Sequence, residues 1–258
     1  MAKWKLEDVP DQAGRTAIIT GANCGIGFEA ARMLARRGAR VVLACRNHEK
    51  AQAARAQITR EQPDAQVEVE SLDLSDLASV SSFAARFNAT AQRLDVLINN
   101  AGVMNPPFSR TAQGFELQFG TNHLGHFALS AQLWPLLMRT TGSRVVTVSS
   151  QVAHSGRLDF DDPNFERRRY QGWVGYAQSK LANSSFALEL ARRAAQAGGA
   201  VTVTASHPGW TATDLSRDSQ FITQASRLLA MSAQGGALTT LRAAVDPRAA
   251  NGSYWGPS

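Results

Sequence analysis

The sequence predicts an α/β fold, with a doubly wound, mostly parallel sheet that carries helices on both of its faces. Short apolar runs alternate with longer segments of helical period along most of the chain, as expected when strands are buried on both faces. Right-handed crossovers between such strands place helices on both sides of the sheet. The 258 residues, of which 44% are hydrophobic, can build one large core. Because we find no internal repeat, low-complexity tract or linker, we predict a single domain over residues 1–258.

The elements can be assigned in order along the chain. Strands are predicted over 16–19, 40–45, 66–72, 95–98, 144–149 and 201–205, with a last short strand within 251–258. Helices are predicted over 25–37, 49–60, 77–93 and 176–197, and a long helix is predicted within 116–138. Gly38 marks the end of the first helix, since glycine commonly follows a helix C-terminus.

Composition and charge argue against several classes of protein. The 27 Lys and Arg exceed the 21 Asp and Glu by only six charges. They occur as short pairs, with one triplet at 167–169 that follows three aspartates, rather than as the basic patch of a nucleic-acid-binding protein. Cys24 and Cys45 are too few for a disulfide framework, which favours a cytoplasmic setting. Residues 1–10 are charged and lack the apolar segment of a signal peptide, and no apolar run of about 18 residues predicts a membrane span.

A glycine-rich loop joins the first predicted strand to the first helix. Gly21, Gly25 and Gly27 have the spacing G-x-x-x-G-x-G. Small residues permit a tight turn, and backbone N–H groups at the helix N-terminus can then approach a pyrophosphate. The loop therefore predicts dinucleotide binding, and a plain turn between strand and helix is the alternative.

The end of the second strand predicts which dinucleotide binds. This position lies beside the adenosine ribose, where a carboxylate suits a 2′-hydroxyl and an arginine suits a 2′-phosphate. The strand ends at Ala44-Cys45-Arg46-Asn47, without a carboxylate. Because a guanidinium matches the geometry of a phosphate, Arg46 predicts NADP(H) over NAD(H). The alternative is that Arg46 is a solvated loop residue.

Tyr176 and Lys180 form a second signal, four residues apart on one face of a predicted helix and about 6 Å apart along its axis. A nearby ammonium favours phenolate over phenol, so we expect the pKa of Tyr176 to lie below its usual value of about 10. Such a phenol could exchange a proton with a carbonyl or an alcohol. Alone, this spacing also arises by chance in many helices.

An ordered set of motifs accompanies the pair. From the N-terminus these are Thr20-Gly21-Ala22-Asn23-Cys24-Gly25-Ile26-Gly27, Asp73, Asn99-Asn100-Ala101-Gly102, Asn122, Ser149-Ser150, Tyr176 with Lys180, and Pro208-Gly209. Over residues 15–255 the chain thereby resembles the short-chain dehydrogenase/reductase family, in its compact branch with a single-domain Rossmann fold. The stretches 43–46, 121–127 and 179–183 are most similar to retinol-dehydrogenase-like NADP-dependent reductases.

The resemblance implies four catalytic residues. Tyr176 would donate a proton to the substrate carbonyl oxygen in reduction and remove it in oxidation. Ser150 would hold that oxygen; it is chosen over Ser149 because the family's serine is normally the second of such a pair, and neighbours in a strand face opposite sides. Lys180 would bind the nicotinamide ribose hydroxyls, and Asn122 would hold a water in a proton relay to Lys180.

The resemblance also implies how NADP(H) would be held. The glycine loop would line the pyrophosphate, Arg46 would hold the 2′-phosphate, and Asp73 would accept from the adenine amino group. Asn99 is expected to be a structural, buried amide. The complete set of expected cofactor-binding residues is Gly21, Asn23, Cys24, Gly25, Ile26, Gly27, Arg46, Asp73, Leu74, Asn100, Ala101, Gly102, Tyr176, Lys180, Pro208, Gly209, Thr211 and Thr213.

These features together predict an oxidoreductase that transfers a hydride between NADP(H) and a hydrophobic aldehyde, ketone or secondary alcohol. One alternative is a non-catalytic NADP(H)-binding redox sensor, although such relatives commonly lose the tyrosine or the lysine. Another is a lyase or epimerase, whose longer C-terminal substrate domain has little room here. Homodimers or homotetramers through the two long helices are common in the family.

The chain departs from the family's simplest members between Ser150 and Tyr176, where the gap of 26 residues (176 − 150) is about twice the usual one. We expect the additional residues, within 155–175, to form a wall of the substrate entrance; a surface flap is the alternative. Trp210 is a candidate to face the substrate. His123 and His126 are expected to pack or to form hydrogen bonds, because no third ligand predicts a metal site.

Overall fold

The computed structural model describes residues 4–199, 201–209 and 232–257. Their strands are β1 (Thr16–Thr20), β2 (Arg40–Cys45), β3 (Val67–Ser71), β4 (Val96–Asn99), β5 (Ser143–Val148), β6 (Val201–Ser206) and β7 (Tyr254–Trp255). Within these ranges they form one parallel sheet in the order β3-β2-β1-β4-β5-β6-β7. The predicted fold class is confirmed.

Helices connect most of these strands. They are α1 (Gly25–Arg36), α2 (His48–Glu61), α3 (Leu77–Thr90), the short α4 (Leu117–Phe119), α5 (Gly125–Arg139), α6 (Gly172–Gln196) and α7 (Ala233–Val245). A short 3₁₀ turn, Gln151–Ser155, follows β5. Among the described residues, no helix has both the length and the apolar character needed to cross a bilayer.

Two apolar layers hold the helices against the sheet. Leu34 of α1 packs in one layer with Ile19 of β1. Phe83 of α3 and Leu133 of α5 pack in the other layer with Ile18, the neighbour of Ile19 in the same strand. Successive side chains of a strand point to opposite faces, so a strand covered on both sides is apolar at every position.

Two helix boundaries differ by three or four residues from those predicted, and others by a single residue. Helix α3 ends at Thr90 rather than at residue 93, because the chain turns to bury Leu94, whose N–H donates to Thr140 Oγ1 at 3.1 Å. Helix α6 begins at Gly172 rather than at Tyr176, and the Gly172 carbonyl accepts from Gln118 Nε2 at 2.8 Å. That contact fixes the first turn of α6, which the local sequence does not predict.

A π turn interrupts the long helix predicted within 116–138. Residues Gly120–Leu124 form this wider turn between α4 and α5. A Cβ at Gly125 would collide with the backbone oxygen of Leu74, so glycine lets the helix approach the loop after β3. Single π turns within α-helices are frequent at functional sites, and this one contains Asn122.

The strand order reverses beside β1, which pairs with β2 on one side and with β4 on the other. The connections on the two sides therefore run in opposite directions and leave a crevice at the carboxyl ends of the strands. In open α/β sheets, ligands bind at such a point. The loops that follow β1, β2 and β4 consequently form the site.

Candidate active site

A cleft of about 620 Å³ opens at the carboxyl ends of β1, β2 and β4. Its volume is in the range of cofactor sites. Most of the residues predicted to bind NADP(H) line it together: Gly21, Asn23, Cys24, Gly25, Ile26, Gly27, Arg46, Asp73, Leu74, Asn100, Ala101 and Gly102. Tyr176, Lys180, Pro208 and Gly209 are described but lie outside this lining. Trp210, Thr211 and Thr213 lie outside the described residues.

The glycine loop has a backbone that side chains would disturb. Gly21 and Gly25 have φ values of +65° and +58°, which glycine adopts without strain. A Cβ at Gly27 would lie 2.5 Å from Asn100 Nδ2 and 2.7 Å from the Gly21 oxygen, too close for any larger residue. Glycine at this position lets the start of α1 pack against the loops after β1 and β4, where Gly21, Gly25 and Gly27 line the cleft.

Cations lie at the end of the cleft next to β2. Arg46 is exposed and lines the cleft. Asn47 and Lys50 were not among the predicted cofactor-binding residues, but they line the cleft as well. Asn47 Oδ1 accepts from the Lys50 N–H at 2.8 Å. Asparagine is a common N-cap residue, so Asn47 could have indicated from the sequence that a helix begins there. Lys50, three residues later, would then lie on the first turn of α2, close to Arg46 in the chain.

Asp73 and Asn100 occupy the adjoining part of the cleft. Asp73 Oδ1 accepts from the backbone N–H and the hydroxyl of Ser75, at 2.9 and 2.6 Å. Asn100 Nδ2 donates to the backbone oxygen of Thr20 at 2.9 Å, so the end of β1 is joined to the loop after β4. These contacts hold both residues at the edge of the cleft, and their predicted contacts with the cofactor stay predictions.

The Ser150 side chain lies beside the Tyr176 phenol, where it acts to lower the pKa of Tyr176. Ser149 faces the other way, and its hydroxyl donates to the Lys180 oxygen at 2.8 Å. The chain is still extended at Ser150, just after β5, so neighbouring side chains point to opposite sides and Ser150, not Ser149, lies beside the phenol.

The pKa expected for Tyr176 was wrong in direction. Burial raises the pKa of Tyr176 to about 12, and the hydrogen bond from Ser150 offsets only part of that rise. The Lys180 ammonium lies 5.7 Å from the centre of the tyrosine ring and donates to the Val148 oxygen at 3.1 Å. Burial in turn lowers the pKa of Lys180 to about 8. Desolvation of both groups outweighs the attraction inferred from their spacing.

Asn122 is held from several sides. Its Oδ1 accepts from the Val103 N–H at 2.8 Å, and its Nδ2 donates to the Val103 oxygen at 2.9 Å and to Ser179 Oγ at 3.0 Å. A Cβ at Gly102 would lie 3.1 Å from Asn122 Oδ1 and 3.7 Å from Lys180 Nζ. Gly102 lines the cleft, so Asn122 and Lys180 lie directly behind its wall. The water relay assigned to Asn122 stays a prediction.

The segment inserted between Ser150 and Tyr176 is packed onto the catalytic helix. Gln178, between Tyr176 and Lys180, accepts from Arg168 Nη2 at 3.0 Å and donates to the Pro163 oxygen at 2.9 Å. Arg168 also lies 4.0 Å over the ring of Phe165. Gln178 was not among the residues predicted from the sequence. Its place as a polar residue between Tyr176 and Lys180 is the sequence signal that could have pointed to a contact with the inserted segment.

The two histidines of the π-turn region have separate partners. His123 Nδ1 lies 3.3 Å from Asn183 Oδ1, while His126 is buried and contacts Asn122 and Thr20. Within the described residues, no group of three or more His, Cys, Asp or Glu could hold a metal ion. Both histidines form hydrogen bonds, as expected.

Comparison with known proteins gives the family. The family model described as short chain dehydrogenase matches residues 15–221. Human retinol dehydrogenase 13 is 47% identical over 79% of this chain and 61% of its own length. Human retinol dehydrogenase 12 is 45% identical over 90% of this chain and 73% of its own length. The chain thus spans about three fifths to three quarters of the length of these two relatives.

Solved structures agree with these matches. A protein of Mycobacterium paratuberculosis, 45% identical, superposes with a TM-score of 0.82 over 99% of this chain and 85% of that one. A short chain dehydrogenase of Shigella flexneri complexed with NADP is 28% identical, with a TM-score of 0.76 over 97% of this chain and 98% of that one. The ordered motifs, the sheet and these matches lead to one conclusion: the chain belongs to the short-chain dehydrogenase/reductase family.

Proposed function

We propose that this protein is an NADP(H)-dependent oxidoreductase that reduces a carbonyl group or oxidises the matching alcohol. The observation that carries the proposal is the position of the Lys180 ammonium, 5.7 Å from the Tyr176 ring and directly behind the cleft wall at Gly102, with the Ser150 side chain beside the phenol. Two hydroxyl groups are thereby available to one substrate oxygen, next to a cleft suited to a dinucleotide.

The residues of the chain would position the oxygen and supply its proton. NADP(H), when bound, supplies the hydride, and the glycine loop that lines the cleft at the start of α1 would hold its pyrophosphate. Ser150 Oγ would donate to the carbonyl oxygen, and Tyr176 would transfer its proton to that oxygen as negative charge develops there. Because burial raises the pKa of Tyr176, the phenol keeps its proton at neutral pH, the form that reduction requires.

A hydrophobic substrate is supported by apolar side chains near Tyr176. Trp173 lies one turn before Tyr176, its ring edge-on at 6.2 Å, and is 44% exposed. Phe108 is 43% exposed and packs at 5.0 Å against Tyr170 of the inserted segment. Exposed aromatic groups of this kind favour an apolar ligand, and we propose that the inserted segment forms one wall of the substrate entrance.

The test is turnover of NADPH, followed by absorbance, on aldehydes and ketones of increasing apolar size. We expect kcat/KM to rise with apolar size and Trp173→Ala to reduce that rise. Tight NADPH binding without turnover of any carbonyl would instead favour the redox sensor. A kcat/KM that is independent of apolar size would contradict the proposed substrate class.

NADP(H) is favoured over NAD(H) by the cations at the end of β2, and Arg46→Glu tests this preference. Loss of a charge-assisted hydrogen bond, with repulsion added, should weaken NADPH binding by at least about 10-fold and leave NADH binding unchanged or stronger. Titration of both cofactors measures the effect. Arg55→Glu, an equal charge change at an exposed position of α2, is the matched control. Equal losses for NADPH and NADH would contradict the role of Arg46.

We further propose a reducing, cytoplasmic setting, because two cysteines are too few for a disulfide framework. Self-association through α5 and α6 is supported by Phe127 and Leu188, which are 52% and 64% exposed. Light scattering on the purified chain would reveal the oligomeric state.

A further inference from the structure

His126 of α5 is enclosed between two parts of the candidate site. The side chain is 1% exposed. Its Nδ1 lies 2.9 Å from the backbone oxygen of Asn122, and its Nε2 lies 2.8 Å from Thr20 Oγ1. The proton chemistry proposed above does not use this imidazole, so the two contacts need another explanation.

The hydrogen-bond partners of the His126 imidazole show which ring nitrogen carries the hydrogen. A carbonyl oxygen can only accept, so Nδ1 of His126 carries the hydrogen and donates it to Asn122. Burial lowers the pKa of His126 to about 3, so the ring is neutral at pH 7 and Nε2 is an acceptor. The Thr20 hydroxyl therefore donates to Nε2 at 2.8 Å rather than to the more distant Ile98 oxygen at 3.4 Å, and its own oxygen accepts from other groups.

Thr20 extends the contact to the cofactor side. Its Oγ1 accepts from the backbone N–H groups of Asn100 and Ala101, at 2.9 and 3.0 Å. Both residues line the cleft, and Thr20 directly precedes Gly21. Through this one hydroxyl, His126 holds the loop after β1 and the loop after β4 in a common arrangement.

Asn122 extends the contact to the catalytic side. It lies in the π turn, and its side chain donates to Ser179 Oγ. Ser179 lies between Tyr176 and Lys180, and its hydroxyl donates to the backbone carbonyl oxygen of Tyr176 at 2.8 Å. A rotation of the Asn122 peptide would therefore disturb the backbone that carries the catalytic pair.

We infer that His126 is a positioning residue that joins the cofactor side of the site to its catalytic side. Its bond with Thr20 orients the two cleft loops, and its bond with Asn122 orients the π turn behind Lys180. The kinetic consequence rests on the proposed function, whereas the consequence for cofactor binding concerns the cleft alone. Substitution of a residue needed only for stability would change kcat and NADPH binding together.

Two substitutions separate the two bonds. His126→Asn keeps an amide donor near the Nδ1 position, so it retains the bond with Asn122 and loses the bond with Thr20. His126→Gln keeps an amide oxygen near the Nε2 position, so it retains the bond with Thr20 and loses the bond with Asn122. We expect about 10-fold weaker NADPH binding with kcat nearly retained in His126→Asn, the scale of one lost hydrogen bond. In His126→Gln we expect about 10-fold lower kcat with NADPH binding nearly retained. Fluorescence titration measures binding, and NADPH absorbance measures kcat.

Ser130→Ala is the matched control. Ser130 lies one turn further along α5, is also buried, and accepts from Asn99 Nδ2 at 2.9 Å. This variant should lower the melting temperature without changing the Kd for NADPH or kcat. If the two His126 variants change Kd and kcat together, or no more than Ser130→Ala does, His126 is structural and the inference is wrong.

Thr20→Val provides a second test, which does not need turnover. It removes the hydroxyl and keeps the imidazole. We expect faster hydrogen exchange at the amides of Asn100 and Ala101 and a loss of NADPH affinity that is not additive with that of His126→Asn. Unchanged amide exchange and unchanged NADPH affinity in Thr20→Val would overturn the inference, whether or not the protein reduces any carbonyl.

Discussion

Replacement of Tyr176 by phenylalanine is expected to lower kcat by at least about 100-fold, the usual scale of general acid catalysis. The ring and its edge-on contact with Trp173 remain, so the fold and the Kd for NADPH should change little. Only the proton donor and the partner of Ser150 are lost. The measurement is single-turnover and steady-state reduction of a carbonyl, with NADPH binding followed in parallel.

Tyr254→Phe is the control for loss of a tyrosine hydroxyl. Tyr254 lies in β7, stacks on His207 at 5.5 Å, and has its hydroxyl near Ser149 and Ser184 rather than near Ser150. Its replacement should not reduce kcat by a comparable factor. Near-normal turnover by Tyr176→Phe would refute the proton transfer assigned to Tyr176.

Replacement of Lys180 by methionine is expected to abolish most of the activity and yet to stabilise the fold at neutral pH. Burial lowers the pKa of Lys180 to about 8, whereas an unfolded lysine titrates near 10.4. Below pH 8 both states bind the proton, and the folded state carries a buried ammonium at a cost of about 3 kcal/mol. Between pH 8 and about 10.4 only the unfolded state binds it, so the free energy of unfolding of the wild type rises with pH.

Urea denaturation at pH 7 and at pH 10 measures this effect. Lys180→Met should exceed the wild type in unfolding free energy by up to about 3 kcal/mol at pH 7, and most of that difference should be gone at pH 10. Lys50→Met, at an exposed lysine, is the control and should show no such dependence on pH. A Lys180→Met variant that is less stable than the wild type at pH 7 would contradict a desolvated ammonium at this position.

Part of the candidate site could be predicted because local pattern places its residues. Gly21, Gly25 and Gly27 occupy the turn between a buried strand and a helix, and such a turn imposes its own backbone geometry. Arg46 and Asp73 follow the ends of parallel strands, which meet at one edge of the sheet. Their presence around one cleft follows from the strand order alone.

Other features depend on segments that meet only in the folded chain. The early start of α6 depends on Gln118, and the packing of the inserted segment depends on Gln178. Gln118 is not distinguished by its neighbours in sequence, and Gln178 is distinguished only by its place between Tyr176 and Lys180. The pKa of Tyr176 was mispredicted for the same reason, because the spacing to Lys180 gives their separation but not the water that both lose.

The sequence by itself determined the succession of strands and helices, the glycine loop, and the pairing of Tyr176 with Lys180 on one helical face. These depend on apolar period and on backbone geometry over a few residues. Only the tertiary structure decided that Tyr176 holds its proton while Lys180 gives it up easily, and that His126 reaches Thr20 across 106 residues of sequence. Burial and long-range hydrogen bonds set both, and neither exists until distant segments of the chain have packed together.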